Sequence, residues 1–444
     1  MVFKENIKNI LKTSFFSGGL NFLSSILYLI YVDKYEYGIY LILLGIFAFA
    51  GRILQSFDDL IIKFQIKNEN TNAKRFLITA FFLKINIFIL ISVLSLIILN
   101  RFPGLVIETK INFSKIFIFL ILFLCALNTI KTFLLCSVYS NLQHKAAFKI
   151  NLYTSIIFFF LTLILITYLG ASIFYFVGIN IILSLLQIIF YAKLVFKFAN
   201  KFNNNQKIIK KNYFLFFYRN YLKKFSLPMS ANHFLGYFNK DHGANVILGA
   251  AFGPEIVSVI AICKNLYEFF HNFINNFIIK IYPLYFHYLK IKKIKIQLFK
   301  KIFLFGNLFY LFVFIFLIIF KDFYFSFMQL KNMEIYSMIY IIISFEFAFK
   351  FIPSYLSHGI LVSTNTIGVL TANIFRTFIS SILIFIGIYY NNILISLLGY
   401  TFGIIFSVPI LISFLQPALK FGEIKLFFII NLFASFGLIY YIFS

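Results

Sequence analysis

Acidic residues are scarce in this chain: 14 Asp and Glu stand against 40 Lys and Arg, for a formal charge of +26 over 444 residues. Cysteine is nearly absent as well. Cys125, Cys136 and Cys263 are odd in number and lack metal-ligand spacing, so neither a disulfide framework nor a zinc site is supported. No Gly-rich phosphate loop of the Walker type occurs, which argues against ATP hydrolysis by this chain. His233, His242, His271 and His358 are scattered and assign no metal. Tryptophan is missing altogether, while Phe, Ile, Lys, Asn and Tyr are heavily used, a bias that carries no mechanism by itself.

What the chain has in abundance is apolar length. Hydrophobic residues make up 61% of it, in continuous rather than alternating runs. A helix needs roughly 20 apolar residues to cross a bilayer and satisfies its own backbone there, so the runs read as helices and not as a barrel. Thirteen spans are expected, near 13–32, 38–57, 77–99, 116–138, 150–169, 171–196, 225–250, 256–280, 302–320, 335–360, 367–388, 393–415 and 424–442. The seventh and eighth are the least apolar. The fold class predicted is an all-α polytopic membrane protein. The first span follows Lys4, Lys8 and Lys12 without a small-residue cleavage site, and reads as a retained signal-anchor.

In a soluble chain the excess of Lys and Arg would point to nucleic acid. Here it follows the positive-inside rule: with a cytoplasmic N-terminus, most basic residues fall on the cytoplasmic side, so no nucleic-acid partner is expected. The densest clusters run from Lys193 to Lys224 and from Lys280 to Lys301, with membrane lipids as partners through anionic headgroups. The longest outer loops, Asn100–Lys115 and Lys321–Glu334, are too short to fold as a catalytic domain.

The longest connector holds Asn203-Asn204-Asn205-Gln206 among many lysines. It divides the chain into a lobe at 1–196, a basic linker at 197–224, a lobe at 225–415 and an additional span within 416–444. A faint echo between Ser17-Gly18-Gly19-Leu20-Asn21 and Ser226-Leu227-Pro228-Met229-Ser230 fits two repeats of like orientation. Pro228 opens the seventh span, and Pro283, Pro353 and Pro409 mark places to bend or end helices.

Seven basic residues fall inside predicted spans: Arg52, Lys84, Lys131, Lys240, Lys264, Lys350 and Arg376. Each costs about 2.5–3.5 kcal/mol at a helix centre, so such residues face a bundle interior or water. Their helical neighbours share faces with other polar groups. Lys264, Glu268, His271 and Asn275 form one stripe; Ser226, Ser230, His233, Tyr237 and Asp241 form another. Arg52, Gln55 and Asp59 lie together, as do Asn373, Arg376, Thr377 and Ser380. These stripes imply a shared hydrophilic cavity. Lys84 could instead snorkel to headgroups, and Lys264–Glu268 and Glu346–Lys350 could be neutralised pairs at i, i+4. Asp58 and Asp59 point about 100° apart on a helix and read as a solvated helix end. Asp241, Glu268 and Glu346 are the candidates for ion coupling.

Short motifs then carry a resemblance. They are Glu36-Tyr37-Gly38-Ile39-Tyr40 after the first outer turn, Phe225-Ser226-Leu227-Pro228 opening the seventh span, and Asp241 within it. Leu248-Gly249, Phe252-Gly253 and Ile281-Tyr282-Pro283 follow in order. In these the chain resembles the polysaccharide exporters of the multidrug/oligosaccharidyl-lipid/polysaccharide (MOP) superfamily, especially Wzx-type O-antigen flippases. Ser258-Val259-Ile260 departs from the usual Gly-x-Tyr, and the thirteenth span exceeds the common twelve. The resemblance implies a MATE-like fold of two six-helix lobes related by a parallel pseudo-twofold, in a bacterial inner membrane. It implies a transporter, not an enzyme, with no cofactor and no catalytic residue. The cargo would be a polyprenyl-pyrophosphate-linked oligosaccharide, delivered to a polysaccharide polymerase and its chain-length machinery in lipopolysaccharide synthesis. The rivals are a cation-coupled multidrug exporter of the same fold and a polyprenyl-dependent membrane glycosyltransferase or polymerase.

Overall fold

In the computed structural model the described apolar runs are helical, as hydrocarbon requires of backbone N–H and C=O groups. The structure describes residues 12–64, 73–101, 115–141, 143–201, 213–238, 241–288, 292–330, 334–362 and 366–415, with isolated positions besides. A π-helical turn, Thr13–Ser17, leads into α1 (Gly18–Tyr31). Then come α2 (Lys34–Ile53), α3 (Gln55–Phe64), α4 (Ala73–Arg101), α5 (Lys115–Ser140), α6 (His144–Tyr168) and α7 (Ile173–Lys201). A short α8 (Tyr213–Phe217) passes through a π-helix, Tyr218–Ser226, into α9 (Leu227–Phe238), followed by α10 (Asp241–Phe252) and α11 (Pro254–Tyr288). The last helices are α12 (Lys292–Ile319), α13 (Lys321–Phe327), α14 (Glu334–Val362), α15 (Thr366–Tyr389) and α16 (Ile393–Leu415).

Among the described residues, eight helices are long and apolar enough to cross a membrane, or nine if α12 and α13, bent by 64°, form one span. This is a multi-pass membrane protein. Large apolar side chains such as Phe119, Phe160, Phe312 and Phe385 are exposed on its surface, as contact with lipid tails requires. The expected seventh span, 225–250, is corrected: its helix begins at Tyr213, and α9 ends at Phe238, with α10 starting at Asp241. The polar residues that made this stretch hard to place are the ones used in packing, described below. The thirteenth expected span, 424–442, lies almost wholly outside the described residues.

Local chemistry sets the tight turns. Asp33 caps α2, its carboxylate accepting from the Glu36 backbone N–H at 2.9 Å. Lys34 reaches back to the Leu29 carbonyl at 2.5 Å, placing positive charge at the C-terminus of α1. Between α10 and α11, Gly253 takes a φ of +90° and Pro254 opens the next helix.

Contacts divide the chain into two compact units, Met1–Ser258 and Val259–Ser444. Within the first, α1 packs on α6, α5 on α7, and α2 on α5, α9 and α10. Within the second, α12 packs on α14, and α16 on α14 and α15. Phe314, Phe345, Ala348, Phe349, Ile404 and Ile405 form a core cluster there. The lobes expected at 1–196 and 225–415 rest on the position of the basic connector and a faint internal echo. The compact units follow packing, and they group residues 225–258 with the first seven helices.

Candidate functional site

The polar groups of the first unit gather on α3. Asp58 is not the solvated helix end expected of it. It is buried against α4, where Lys84 Nζ lies 2.6 Å from its Oδ1, with side-chain exposures of 1% for Lys84 and 6% for Asp58. The Lys84 ammonium also sits 5.6 Å from the centre of the Phe133 ring. Lys84 therefore does not snorkel. Its charge is met inside the protein, where a buried cation left without a partner is strongly destabilising.

Asp59, rotated about 100° from Asp58 on the same helix, turns to a different partner. Its Oδ2 lies 2.7 Å from His233 Nε2 on α9. One turn before it, the Ser56 hydroxyl lies 3.1 Å from Ser226 Oγ and 2.7 Å from Ser230 Oγ. Farther along, the Tyr237 hydroxyl donates to the Gly45 carbonyl at 2.9 Å. The two stripes read from the sequence as lining a cavity are thus bonded to one another across helices at Asp59, and Ser56, which the stripe of Arg52, Gln55 and Asp59 left out, adds to the contact. Arg52, in the turn before them, is likewise engaged by a neighbouring group.

A second polar seam joins α5, α6 and α7. Lys131 Nζ donates to Ser184 Oγ at 3.4 Å, and Ser184 donates to Asn128 Oδ1 at 3.4 Å. Gln187 donates to the Thr154 hydroxyl at 2.8 Å, and Tyr191 donates to Asn151 at 2.5 Å. No carboxylate of the described residues pairs with Lys131. Sequence reading found Lys131 and missed its companions. Asn180, Ser184, Gln187 and Tyr191 follow steps of four, three and four on α7, the spacing of one helix face. That spacing was legible, but a search led by charged residues passes over it.

In the second unit, Glu346 and Lys350 do not form the i, i+4 pair that their spacing allows. Lys350 Nζ stands 5.0 Å from the centre of the Tyr267 ring on α11. Glu346 is 6% exposed and makes no ion pair or hydrogen bond among the described residues. Around them, His271 Nδ1 lies 2.5 Å from the Tyr310 hydroxyl, and the Tyr310 and Phe347 rings stack at 4.5 Å. Lys264 is buried. Lys264, Glu268 and Arg376 are each engaged with a neighbouring group. Lys240 lies outside the described residues, and nothing is described of the Asp241 side chain. The candidates therefore separate into those of the first unit (Arg52, Lys84, Lys131) and those of the second (Lys264, Glu268, Glu346, Lys350, Arg376). Among the described residues no group of three His, Cys, Asp or Glu side chains could hold a metal.

No protein-family profile matches the sequence, and no curated protein matches it. Solved structures do. A Vibrio cholerae MATE transporter, VcmN, matches with a TM-score of 0.64 at 14% identity, covering 96% of this chain and 99% of that one. A MATE structure in complex with MaL6 matches at 0.62 and 13% identity, covering 93% and 95%. A MOP superfamily transporter from Pyrococcus furiosus, described as having a binding pocket of reverse polarity, matches at 0.61 and 13% identity, covering 94% and 95%. The chain has the all-helical fold of MATE transporters of the MOP superfamily.

Proposed function

We propose that this protein is a flippase that carries a polyprenyl-pyrophosphate-linked oligosaccharide from the cytoplasmic to the outer leaflet of a bacterial inner membrane. One observation carries the reading. Both carboxylates of α3 are already engaged, Asp58 by Lys84 and Asp59 by His233. Lys131, by contrast, donates to the Ser184 hydroxyl, and Lys350 stands over an aromatic face. In the first unit the carboxylates of α3 are thus met by cationic or imidazole partners, while Lys131 is left without a carboxylate among the described residues, which suits an anionic cargo. Pyrophosphate oxygens accept charge-assisted hydrogen bonds from lysine directly, and the lipid tail need not leave the bilayer. The Pyrococcus furiosus transporter, described as having a binding pocket of reverse polarity, shares this fold.

Two six-helix lobes, 1–196 and 225–415, joined by the basic stretch 197–224 and followed by a further span in 416–444, alternate between leaflets. The N-terminus is cytoplasmic, supported by the distribution of Lys and Arg. The candidate cargo ligands are Arg52, Lys131, Lys240, Lys264, Lys350 and Arg376; Lys84, expected among them from the sequence, has its charge held by Asp58 and is assigned a structural role. Delivered units then pass to a polymerase and its chain-length machinery.

A second reading, a cation-coupled exporter of small molecules, has one observation in its favour: the buried carboxylate of Glu346 stands without an ion-pair partner among the described residues. Sidedness separates the two. In a host lacking the gene, complete lipid-linked oligosaccharide accumulates facing the cytoplasm, and the gene restores surface polysaccharide. Complete units that already face outward, together with new sensitivity to cationic drugs, favour the exporter. Incomplete units favour the glycosyltransferase or polymerase.

A further inference from the structure

The contact of α2 and α3 with α9 and α10, all within Met1–Ser258, changes character along its length. Toward one end it is dry and close. A Cβ on Gly38 would lie 2.0 Å from the Pro254 carbonyl oxygen, and one on Gly45 would lie 2.5 Å from that of His242. Ile42 packs against Gly249. Toward the other end, apolar packing gives way to Ser56 between Ser226 and Ser230, and to Asp59 on His233. Helix regularity changes at the same place on both sides. Leu54 separates α2 from α3 at φ −80°, ψ −1°, and the π-helix ends at Ser226, just before α9. Breaks of this kind are where helices bend.

The two halves differ in what separation would cost. Backbone packed against backbone through glycine has no substitute once it is parted. Hydroxyl, imidazole and carboxylate groups exchange their partners for water at little net loss. From this asymmetry we infer that Ser56, Asp59, Ser226, Ser230 and His233 form a latch that opens during the transport cycle, with the glycine-packed half as its fixed side. Asp58, adjacent to Asp59, stays tied to Lys84 and holds α3 to α4, so that α3 moves with its own bundle when the latch parts. The inference rests on the transporter reading, and with a cytoplasmic N-terminus the latch closes the cytoplasmic end.

The test uses the full chain in proteoliposomes, with Cys125, Cys136 and Cys263 each replaced by alanine. A Ser56→Cys/Ser230→Cys protein is expected to cross-link on mild oxidation and to stop flipping a fluorescent polyprenyl-pyrophosphate-linked saccharide until reductant is added. Cross-linked protein that flips at the reduced rate would show a permanent brace and overturn the latch, as would failure to cross-link. If the reduced protein does not flip the probe, the transport reading fails on its own, and a second measurement still judges the latch. A lone Ser226→Cys, buried in the closed seam, is expected to react with a water-soluble maleimide roughly tenfold faster once His233→Ala removes the charge-assisted bond. Equal rates overturn the proposal.

Discussion

Lys84 Nζ and Asp58 Oδ1 lie 2.6 Å apart, 26 positions distant in the chain, and neither side chain is more than 6% exposed. A pair so enclosed is held by mutual need more than by profit. Desolvating two charges consumes most of what their attraction returns, yet removing one partner strands the other. Lys84→Met and Asp58→Leu are therefore each expected to destabilise the protein by about 3–5 kcal/mol. The double variant is expected to recover most of that loss. Thermal unfolding followed by circular dichroism in detergent checks the order; a double variant as unstable as either single would contradict it.

Lys131 is expected to behave in the opposite way. Its ammonium is met by Ser184, 3.4 Å away, and by no carboxylate among the described residues. Lys131→Gln strands no countercharge, so the melting temperature should change little. Binding of the lipid-linked saccharide should weaken roughly tenfold or more, the size of a lost charge-assisted hydrogen bond. Lys131→Arg should restore part of it. Paired measurements of binding and melting on the Lys84 and Lys131 variants separate a structural cation from a cargo-facing one.

Much of this arrangement was legible beforehand, and the limit has a physical cause. Helix existence follows from apolar length, which a single chain displays. Faces follow from 3.6-residue periodicity, so the stripes at Ser226, Ser230, His233 and Tyr237 and at Arg52, Gln55 and Asp59 could be drawn from spacing alone. The roughly 100° between Asp58 and Asp59 was legible as well, but both were expected at a solvated helix end, and neither Lys84 nor His233 was foreseen as a partner. What spacing does not encode is the register of one helix against another, which decides what each face meets. Two polar stripes can line a cavity or bond to each other, and the sequence looks the same in both cases. Register also turned Lys350 toward Tyr267 and away from Glu346, although the i, i+4 spacing permits the pair.

The closeness of α2 to α10 gives a packing prediction. With an added Cβ 2.0 Å from the Pro254 carbonyl oxygen, Gly38→Ala must move backbone, because no flexible side chain lies there to yield. Overpacking of this kind costs about 1–3 kcal/mol. Gly18→Ala, where a Cβ would meet nothing within 4 Å, is the control, and is expected to stay within about 0.5 kcal/mol of the parent. A lowered melting temperature for the first variant alone is the expected result.

Glu346 supplies the last prediction. A carboxylate buried in a membrane helix without an ion-pair partner among the described residues is a place where a coupling ion, a proton or a cation, could be received. Either ion adds positive charge beside Lys350, one turn along the same helix, and so changes the field that an anionic cargo meets there. Coupling through this residue then requires that Glu346→Gln, which carries no charge, strengthen cargo binding roughly severalfold while removing the response of flipping to an imposed proton or sodium gradient. Initial rates in proteoliposomes with and without a gradient measure this directly. If the variant keeps the full gradient response, the ion is handled elsewhere, and Glu346 is a buried acid that serves only the packing of α14.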